Sequence, residues 1–239
     1  MDPLTAMAAS GMRARQEALD MIANNLANAA TAGFKGDREF YNLYMAPAAS
    51  AGRMPLVERL WTDFRQGTLT ATGNPLDLAI SGRGFFAVAG PQGPLYTRNG
   101  SLKLTPAGEL TSHDGLPVLG RDGRRIRLDP GLPFEVDARG SVRQNGVEVA
   151  QLRLADFAST ASLEKRDAGY FQLADPGAQP HDAEGEIRQG HLEASNVGPA
   201  ETAVRMITVM RQFEMLHRAI QLGGEMNRRA VEEVAKTAA

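Results

Sequence analysis

The sequence predicts an α+β protein: an N-terminal and a C-terminal helix pair as an antiparallel coiled-coil-like layer, and a central, mainly antiparallel β domain is inserted between them. Two observations predict this fold class. At each end of the 239-residue chain, apolar residues recur every three or four positions, the spacing of one helix face. Between the ends, short pieces rich in Val, Leu, Phe and Thr alternate with regularly spaced glycines, which is typical of short strands joined by turns. These turn glycines are Gly93, Gly100, Gly108, Gly115, Gly123, Gly131, Gly140 and Gly146.

The first helix is predicted from Pro3 to about Thr31, with Gly33 closing it. One row of apolar or small residues runs along it at helical spacing, and a second row with a spacing of seven lies beside the first. The first row includes Leu4, Gly11, Ala18 and Ile22, and the second consists of Met12, Leu19 and Leu26.

The second helix is predicted from Pro199 to about Ala238. Proline suits the first position of a helix, and Glu201 in the first turn favours the helix dipole. An apolar stripe is predicted along this helix, and it includes Met206, Met210, Phe213 and Ile220.

The domain organisation follows from this pattern. Residues 1–40 and 191–239 are expected to form an inner helical domain, 41–75 a connecting segment, and 76–190 an outer β-rich domain. Burial of the apolar faces offsets only part of the conformational entropy that so many helical residues lose, and helical hydrogen bonds return only part of the rest, so the helix pair is marginal by itself. We therefore expect neighbouring subunits to complete the core of the helical domain.

Two β-hairpins are predicted at Asn-Gly pairs, because this dipeptide tolerates the positive φ angles of a two-residue turn. In the first, Asn99-Gly100 joins strands at 95–98 and 101–104. In the second, Asn145-Gly146 joins strands at 142–144 and 147–149.

Composition excludes several classes of function. The 26 basic and 28 acidic residues give a net charge of −2, which provides no general attraction to nucleic acid. The chain has no cysteine, so disulfides, thiolate metal sites and thiol nucleophiles are excluded. No apolar run has the length of a membrane-spanning helix, and we expect no cleaved signal peptide at the N-terminus.

No catalytic, cofactor or metal site is predicted. Gly82-Arg-Gly-Phe-Phe-Ala87 matches the glycine pattern of a dinucleotide-binding turn, but it continues as a strand where such a turn opens a helix. The four histidines are far apart; His217 is expected to pack on the second helix, and His181 to lie in a solvated acidic loop. Catalysis by a pair of carboxylates remains an open alternative, because the distance between two carboxylates in the folded chain is not visible in its sequence. We expect no small-molecule substrate.

The chain resembles the bacterial flagellar rod and hook protein family. The resemblance begins at Asn24-Asn-Leu-Ala-Asn28, Thr31 and Gly33-Phe-Lys35, and it continues through further blocks in the family's order. These blocks are 67–77, 78–86, Tyr96-Thr-Arg-Asn-Gly100, Leu192-Glu-Ala-Ser-Asn-Val197 and 206–215. Ala29, Ala30 and Ala32 depart from the family's usual residues around Thr31.

The resemblance implies a structural subunit of the flagellar basal-body rod, exported by the flagellar type III apparatus and assembled in the periplasm. Its implied partners are itself, other axial rod proteins and the export apparatus. The chain length, the Met1-Asp2 start and Phe213, where the distal-rod member usually has Tyr, make it look more like the proximal-rod member of the family. A distal-rod or hook-family paralogue is the alternative.

Within this resemblance, assembly is expected to depend on residues of the two terminal helices and the motifs beside them. They are Leu4, Gly11, Met12, Leu19, Ile22, Asn24, Asn25, Leu26, Asn28, Gly33, Phe34, Ser195, Asn196, Val197, Met206, Met210, Phe213, Glu214 and Ile220. Two other classes were weighed: a secreted enzyme with a helical stalk, and a surface adhesin with a coiled-coil stem. The missing catalytic constellation disfavours the enzyme.

Overall fold

The computed structural model describes residues 3–44, 54–166, 169–175 and 179–237. Within them, two long helices stand at the ends of the chain, α1 (Pro3–Ala27) and α2 (Pro199–Thr237), with strands between. The strands are β1 (Asp37–Tyr44), β2 (Met54–Thr62), β3 (Leu69–Ala71), β4 (Leu78–Ser81), β5 (Phe85–Gly90), β6 (Gly93–Thr97), β7 (Leu102–Leu104), β8 (Leu110–Ser112), β9 (Phe134–Val136), β10 (Ser141–Gln144), β11 (Val147–Gln151), β12 (Leu154–Asp156), β13 (Leu163–Lys165), β14 (Tyr170–Leu173), β15 (His181–Asp182), β16 (Glu186–Gln189) and β17 (His191–Glu193).

The chain divides into two compact units. The helical unit consists of Met1–Ala27, Asp37–Asp63 and Val197–Ala239, and the β unit consists of Asn28–Gly36 and Phe64–Asn196. The order of helix, mainly antiparallel β region and helix confirms the predicted α+β class at this level.

In the helical unit, α1 packs against α2. Ala18, Met21 and Ile22 form a buried apolar cluster with Val209. Further along, a Cβ on Gly11 would lie 3.2 Å from Leu216 Cδ1, so the absence of a side chain lets the helices approach closely there. Ile22 packs near Val209, and Gly11, earlier in α1, packs on Leu216, later in α2. The two helices are therefore antiparallel.

The helical unit also contains an antiparallel hairpin of β1 and β2, with a bulge between Phe40 and Tyr41. The hairpin was not predicted, because residues 41–75 were expected to be a connecting segment and β2 and β3 lie within them. Residues 45–53, which lie outside the described residues, separate the two strands in sequence. Their composition is typical of a linker, so the sequence does not indicate that β1 and β2 pair.

In the β unit, every described strand pairing is antiparallel. The largest sheet has the order β13-β14-β6-β5-β12-β15, and a second sheet has the order β11-β10-β9. Two-stranded pairs complete the unit: β4 with β16, β3 with β17, and β7 with β8. Strands near the start of the β unit therefore pair with strands near its end, as β3 does with β17 and β4 with β16.

Two apolar clusters hold the β unit together. One is mainly aliphatic and includes Leu78, Val88, Leu110 and Ile187. The other is aromatic: Phe85 contacts Phe64, Phe157 and Phe171, with ring centroids 5.7 to 5.9 Å apart. The unit thus encloses a core of its own.

The two predicted hairpins have different outcomes. The one at Asn145-Gly146 is confirmed, with φ angles of 50° and 78° at the turn and Gln144 opposite Val147. The one at Asn99-Gly100 is wrong, because β6 pairs with β5 and β14, and β7 pairs with β8. The Leu78 N–H donates to the Gly100 carbonyl at 2.9 Å, and a Cβ on Gly100 would lie 1.7 Å from the Leu78 oxygen. Gly100 is thus needed for a close backbone crossing.

The helix bounds differ little from those predicted. The first helix ends at Ala27, before the predicted Thr31, because residues 28–33 form a turn in which the Thr31 N–H donates to the Asn28 carbonyl at 3.1 Å. The second ends at Thr237, close to the prediction. Neither described helix is long and apolar enough to span a membrane.

Candidate functional site

A buried ion cluster joins three segments of the β unit that are far apart in sequence. Its members are Lys35, Arg98 and Glu193, with exposures of 0%, 5% and 0%. Lys35 Nζ pairs with Glu193 Oε1, a contact between residues 158 positions apart, and Arg98 Nη1 lies 3.3 Å from Glu193 Oε2. Each member comes from one of the motif blocks that carry the family resemblance.

Backbone groups complete the cluster. Two cations face one carboxylate, and carbonyl oxygens accept further hydrogen bonds: Lys35 Nζ donates to the Arg65 oxygen at 2.8 Å, and Arg98 Nη2 donates to the Gly82 oxygen at 2.7 Å. Arg98 Nε is buried and has no hydrogen-bond partner among the described residues. The Gly67 N–H also donates to Glu193 Oε1, at 2.9 Å. Buried charges are tolerated only where such partners satisfy them.

Burial lowers the pKa of the Arg98 guanidinium from its ordinary value, and the carboxylate of Glu193 opposes that change. The face of the Phe85 ring, 5.3 Å from Arg98 Cζ, adds a favourable cation–π contact. The guanidinium is therefore held by a carboxylate, by carbonyls and by a ring face.

The segment that carries Lys35 is fixed by backbone contacts on both sides. The Gly33 N–H donates to the Glu193 carbonyl at 2.7 Å. Gly33 has a φ of 67°, and a Cβ there would lie 2.3 Å from the carbonyl carbon of Arg98, so only glycine fits. Lys165 Nζ donates to the Lys35 carbonyl at 2.7 Å and lies 4.1 Å from the centre of the Phe34 ring.

Two asparagines of the family motifs hold backbone rather than a ligand. Asn25, in the helical unit, accepts from the Asp37 N–H at 2.9 Å and donates to the Asp37 carbonyl at 2.7 Å, which ties the start of β1 to α1. Asn196, in the β unit, accepts from the Gly36 N–H at 2.8 Å and donates to the Arg65 carbonyl at 3.1 Å. Each side-chain amide thus fixes the backbone of a segment distant in sequence.

The helical unit has a second notable surface, which we name the outer face of α2. It carries large apolar side chains that are mostly exposed, on the side of the helix away from the buried Val209. They are Val204 at 65%, Ile207 at 53%, Met215 at 62%, Leu222 at 60% and Met226 at 70% exposure. Exposed apolar stripes of this length mark interaction surfaces in soluble proteins.

The expected assembly residues fall into three groups. Gly11, Ile22, Asn25, Gly33 and Phe34 are buried, whereas Asn24, Met210 and Glu214 are exposed. The half-buried ones are Met12, Leu19, Leu26, Asn28, Ser195, Asn196, Val197, Met206, Phe213 and Ile220. The side chain of Leu4 lies outside the described part of the chain.

One expected position differs from the structure within the second helix. Met210 was placed on the same stripe as Met206 and Phe213, but it is 47% exposed whereas those two are half-buried. The neighbouring Val209 is the buried residue that packs on α1, and Met210, one position further along the helix, lies at the border of that covered side.

Sequence reasoning did not single out Lys35, Arg98 and Glu193 as site residues. A signal existed, since each is a charged residue inside a motif block of turns and apolar residues. Their convergence depends on antiparallel pairing between distant strands, such as β3 with β17, and that pairing is not written in local sequence.

The described residues hold no group of three or more His, Asp or Glu side chains placed to bind a metal ion. Residues 85–90 form a strand, as predicted for the glycine-rich pattern that precedes them. His181 was expected in a solvated acidic loop; it is exposed, but it lies in β15, which pairs with β12. Its ring is 3.7 Å from Asp156, while the side chain of Asp182 pairs with Arg121. His217 was expected to pack but is exposed, and its ring lies 3.1 Å from Gln221 Nε2.

Comparison with known proteins identifies similar families and relatives. Family models match residues 6–35 (flagella basal body rod protein), 79–148 (flagellar hook protein FlgE/F/G D1 domain) and 188–233 (flagellar basal body rod FlgEFG protein C-terminal). The chain is 34% identical to the flagellar basal-body rod protein FlgF of Caulobacter vibrioides over 94% of each chain. It is 34% identical to FlgF of Mesorhizobium japonicum, over 87% of this chain and 88% of the relative. It is 30% identical to the flagellar basal-body rod protein FlgG of Buchnera aphidicola subsp. Schizaphis graminum, over 95% of this chain and 97% of the relative.

Proposed function

Because the chain belongs to the flagellar basal-body rod protein family, and is thus a structural component of the flagellar basal body and not an enzyme, we propose that it self-assembles into the rod through its terminal helices. Assembly takes place in the periplasm, after export by the flagellar type III apparatus. Its partners are other copies of the chain and other axial rod proteins.

The observation that carries this proposal is the outer face of α2. Its apolar side chains remain exposed although the opposite side of the helix is packed on α1. Leaving them in water forgoes about 25 cal/mol for each Å² that a neighbour could cover. Contact with neighbouring subunits recovers this free energy, and it joins the helices into a coiled-coil-like inner layer.

The β unit fits the role of an outer layer. It has its own aliphatic and aromatic cores, and its motif segments are held by the buried ion cluster. A unit that closes its own core does not depend on neighbours for its fold, whereas the helical unit gains stability from them.

Export is supported by composition. The chain has no cysteine, so no disulfide can hold it folded before or during export. Helices that are weakly stable alone are easily kept unfolded.

A place in the proximal rod follows the similarity to FlgF proteins of two organisms at 34% identity. The 30% identity to FlgG supports a second candidate, a place in the distal rod.

A deletion strain complemented with a tagged chain tests the proposal. We expect loss of motility without the chain, its restoration by the tagged chain, and tag density on the rod axis of isolated basal bodies. In cells that lack the export ATPase, the tagged chain should stay in the cytoplasm. Normal basal bodies in the deletion strain would refute the rod function.

A further inference from the structure

The methionines of the chain are confined to one of its two units. All ten fall within the residue ranges of the helical unit, and the β unit, Asn28–Gly36 with Phe64–Asn196, has none. Methionine is the apolar residue whose sulfur takes up one oxygen atom from a peroxide to become a sulfoxide. The chain has no cysteine, so no thiol competes for the oxidant. Sensitivity to peroxide is therefore concentrated in the unit that leaves apolar surface in solvent.

The methionines of the two helices differ in their exposure. Met210, Met215 and Met226 are exposed on α2. Met206 is half-buried, and Met21 is only 5% exposed because it packs in the apolar cluster between α1 and α2. A dissolved oxidant reaches the first three directly, whereas it reaches Met21 only when the helix pair opens.

We propose that Met210, Met215 and Met226 form an oxidation site that determines whether a free subunit can assemble. Hydrogen peroxide is the oxidant. The O–O bond of the peroxide breaks and an S–O bond forms, so that each sulfur is oxidised by two electrons and the peroxide is reduced to water. This inference rests on the proposed self-assembly and adds a chemical control of it.

The cost of the sulfoxide falls on the assembled state. A thioether is apolar, whereas the oxygen of a sulfoxide is a polar hydrogen-bond acceptor. In the free chain, water satisfies this oxygen. The apolar side chains beside it on the outer face of α2, such as Ile207 and Leu222, offer no donor, so covering the face deprives the sulfoxide of its hydrogen bonds to water. Oxidation therefore opposes assembly and leaves the fold of the single chain unchanged.

Assembly in turn protects the same three sulfur atoms. A neighbour that covers the outer face of α2 also excludes peroxide from Met215 and Met226, which lie on that face. The sensitive interval is therefore the one between export and incorporation into the rod. Methionine sulfoxide reductases reverse the reaction, so an oxidised subunit can become competent for assembly again.

Peptide mapping after peroxide treatment tests the location of the site. In the purified full-length chain, Met215 and Met226 should be oxidised at least about tenfold faster than Met21, with no change in the thermal unfolding transition. In isolated basal bodies, the same two residues should be oxidised at least about tenfold more slowly than in the free chain. Equal rates in the free chain and in the rod would overturn the inference.

Leucine substitution tests the role of the sulfur atoms. Cells receive peroxide while the chain is induced, and the rod content of each strain is compared with its own untreated level. Native chain should lose rods at least about tenfold, whereas Met210→Leu with Met215→Leu and Met226→Leu should keep its own level, because leucine is not oxidised. The matched control, Met12→Leu with Met206→Leu, removes two half-buried methionines and should stay as sensitive as native chain.

Glutamine substitution imitates the polar product without any oxidant. Met215→Gln with Met226→Gln should lower the rod content at least about tenfold, because it places polar groups on the outer face of α2. The control, Val147→Gln with Val149→Gln, places the same groups on exposed positions of the β unit and should leave rods unchanged. Both purified variants should unfold like the native chain, because all four positions are exposed.

The outcomes separate this inference from the proposed function. Equal loss of rods under peroxide in the native and leucine-substituted strains, or normal rods with Met215→Gln and Met226→Gln, overturns the inference even if the deletion strain needs the chain for its rod. Rods that form without the chain overturn the proposed function together with the inference.

Discussion

At the scale of single residues, the buried ion cluster determines how the motif segments lie in the β unit. Glu193 holds Lys35 on one oxygen and Arg98 on the other, and Lys35 also reaches the carbonyl of Arg65. The three motif blocks are therefore linked through one carboxylate. A buried carboxylate that loses a cation retains the full cost of its desolvation.

We expect Lys35→Met to lower the free energy of unfolding of the β unit by about 1 to 3 kcal/mol, because Glu193 Oε1 loses its cation and the Arg65 carbonyl loses its donor, although Arg98 still pairs with the other carboxylate oxygen. Urea denaturation followed by the fluorescence of the tyrosines measures this. The control is Lys103→Met, at an exposed lysine of the same unit that donates to the His113 carbonyl at 2.9 Å. The control should change stability by about 0.5 kcal/mol or less. Equal effects of the two substitutions would contradict the cluster's role.

At the scale of elements, the dipeptide Asn-Gly adopts different structures at its two positions in the β unit. Asn145-Gly146 forms the predicted turn, whereas Asn99-Gly100 is a crossing point whose glycine touches the backbone of Leu78. Local sequence predicts the two long helices and the adjacent-strand hairpin, because their contacts are close in sequence. It does not predict β4 with β16 or β3 with β17, whose partners lie more than a hundred residues apart.

The features of the candidate site also differ in whether local sequence predicts them. The apolar rows of α1 and α2 follow from helical spacing, and Ile22, Met206 and Phe213 are at least half-buried where the pattern predicts contact. The ion cluster is different, since it depends on distant strand pairing. The exposed outer face of α2 also escaped prediction, because periodicity identifies apolar positions but not which of two stripes is covered within one chain.

Gly224 lies inside α2, and nothing is within 4 Å of the position that a Cβ would take. Gly224→Ala should therefore stabilise the helix by about 0.5 to 1 kcal/mol, because alanine loses less backbone entropy than glycine. Helical circular dichroism during thermal unfolding measures the effect.

The matched substitution Gly100→Ala tests the close crossing. Its Cβ would lie 1.7 Å from the Leu78 oxygen, so strands near β4 must shift. We expect a loss of about 1 to 3 kcal/mol or more in the stability of the β unit. A neutral Gly100→Ala would mean that β4 and residue 100 do not cross so closely.

At the scale of the whole molecule, the two units differ in how they bury apolar surface. The β unit has two closed clusters, whereas the helical unit leaves an apolar stripe on α2 in solvent. The chain thus combines a self-sufficient part with a part that is completed by neighbours.

Limited trypsin digestion of the free chain should remove the helical ends first. Arg218, Arg228 and Arg229 are exposed on α2, and cleavage there needs only local opening of the helix. A resistant fragment that contains the β unit, about 28–196, should remain, because its cores and its buried ion cluster hold the strands together. Mass spectrometry identifies the cut sites. Ends that resist cleavage at low protein concentration would argue against helices that need neighbours.

The central claim is that the outer face of α2 drives rod assembly, and a matched pair of valines tests it most directly. Val204 on α2 and Val147 on β11 are both 65% exposed, so Asp at either is tolerated by the single chain. In an assembled rod, Asp at 204 would bury an unpaired charge, at several kcal/mol per subunit.

The decisive measurement is the swimming motility and rod content of cells that carry Val204→Asp or Val147→Asp in place of the native chain. We predict that Val204→Asp abolishes rods and swimming although the purified variant unfolds like the native chain, and that Val147→Asp leaves both unchanged. Normal rods with Val204→Asp would contradict the assembly of this chain through the outer face of α2.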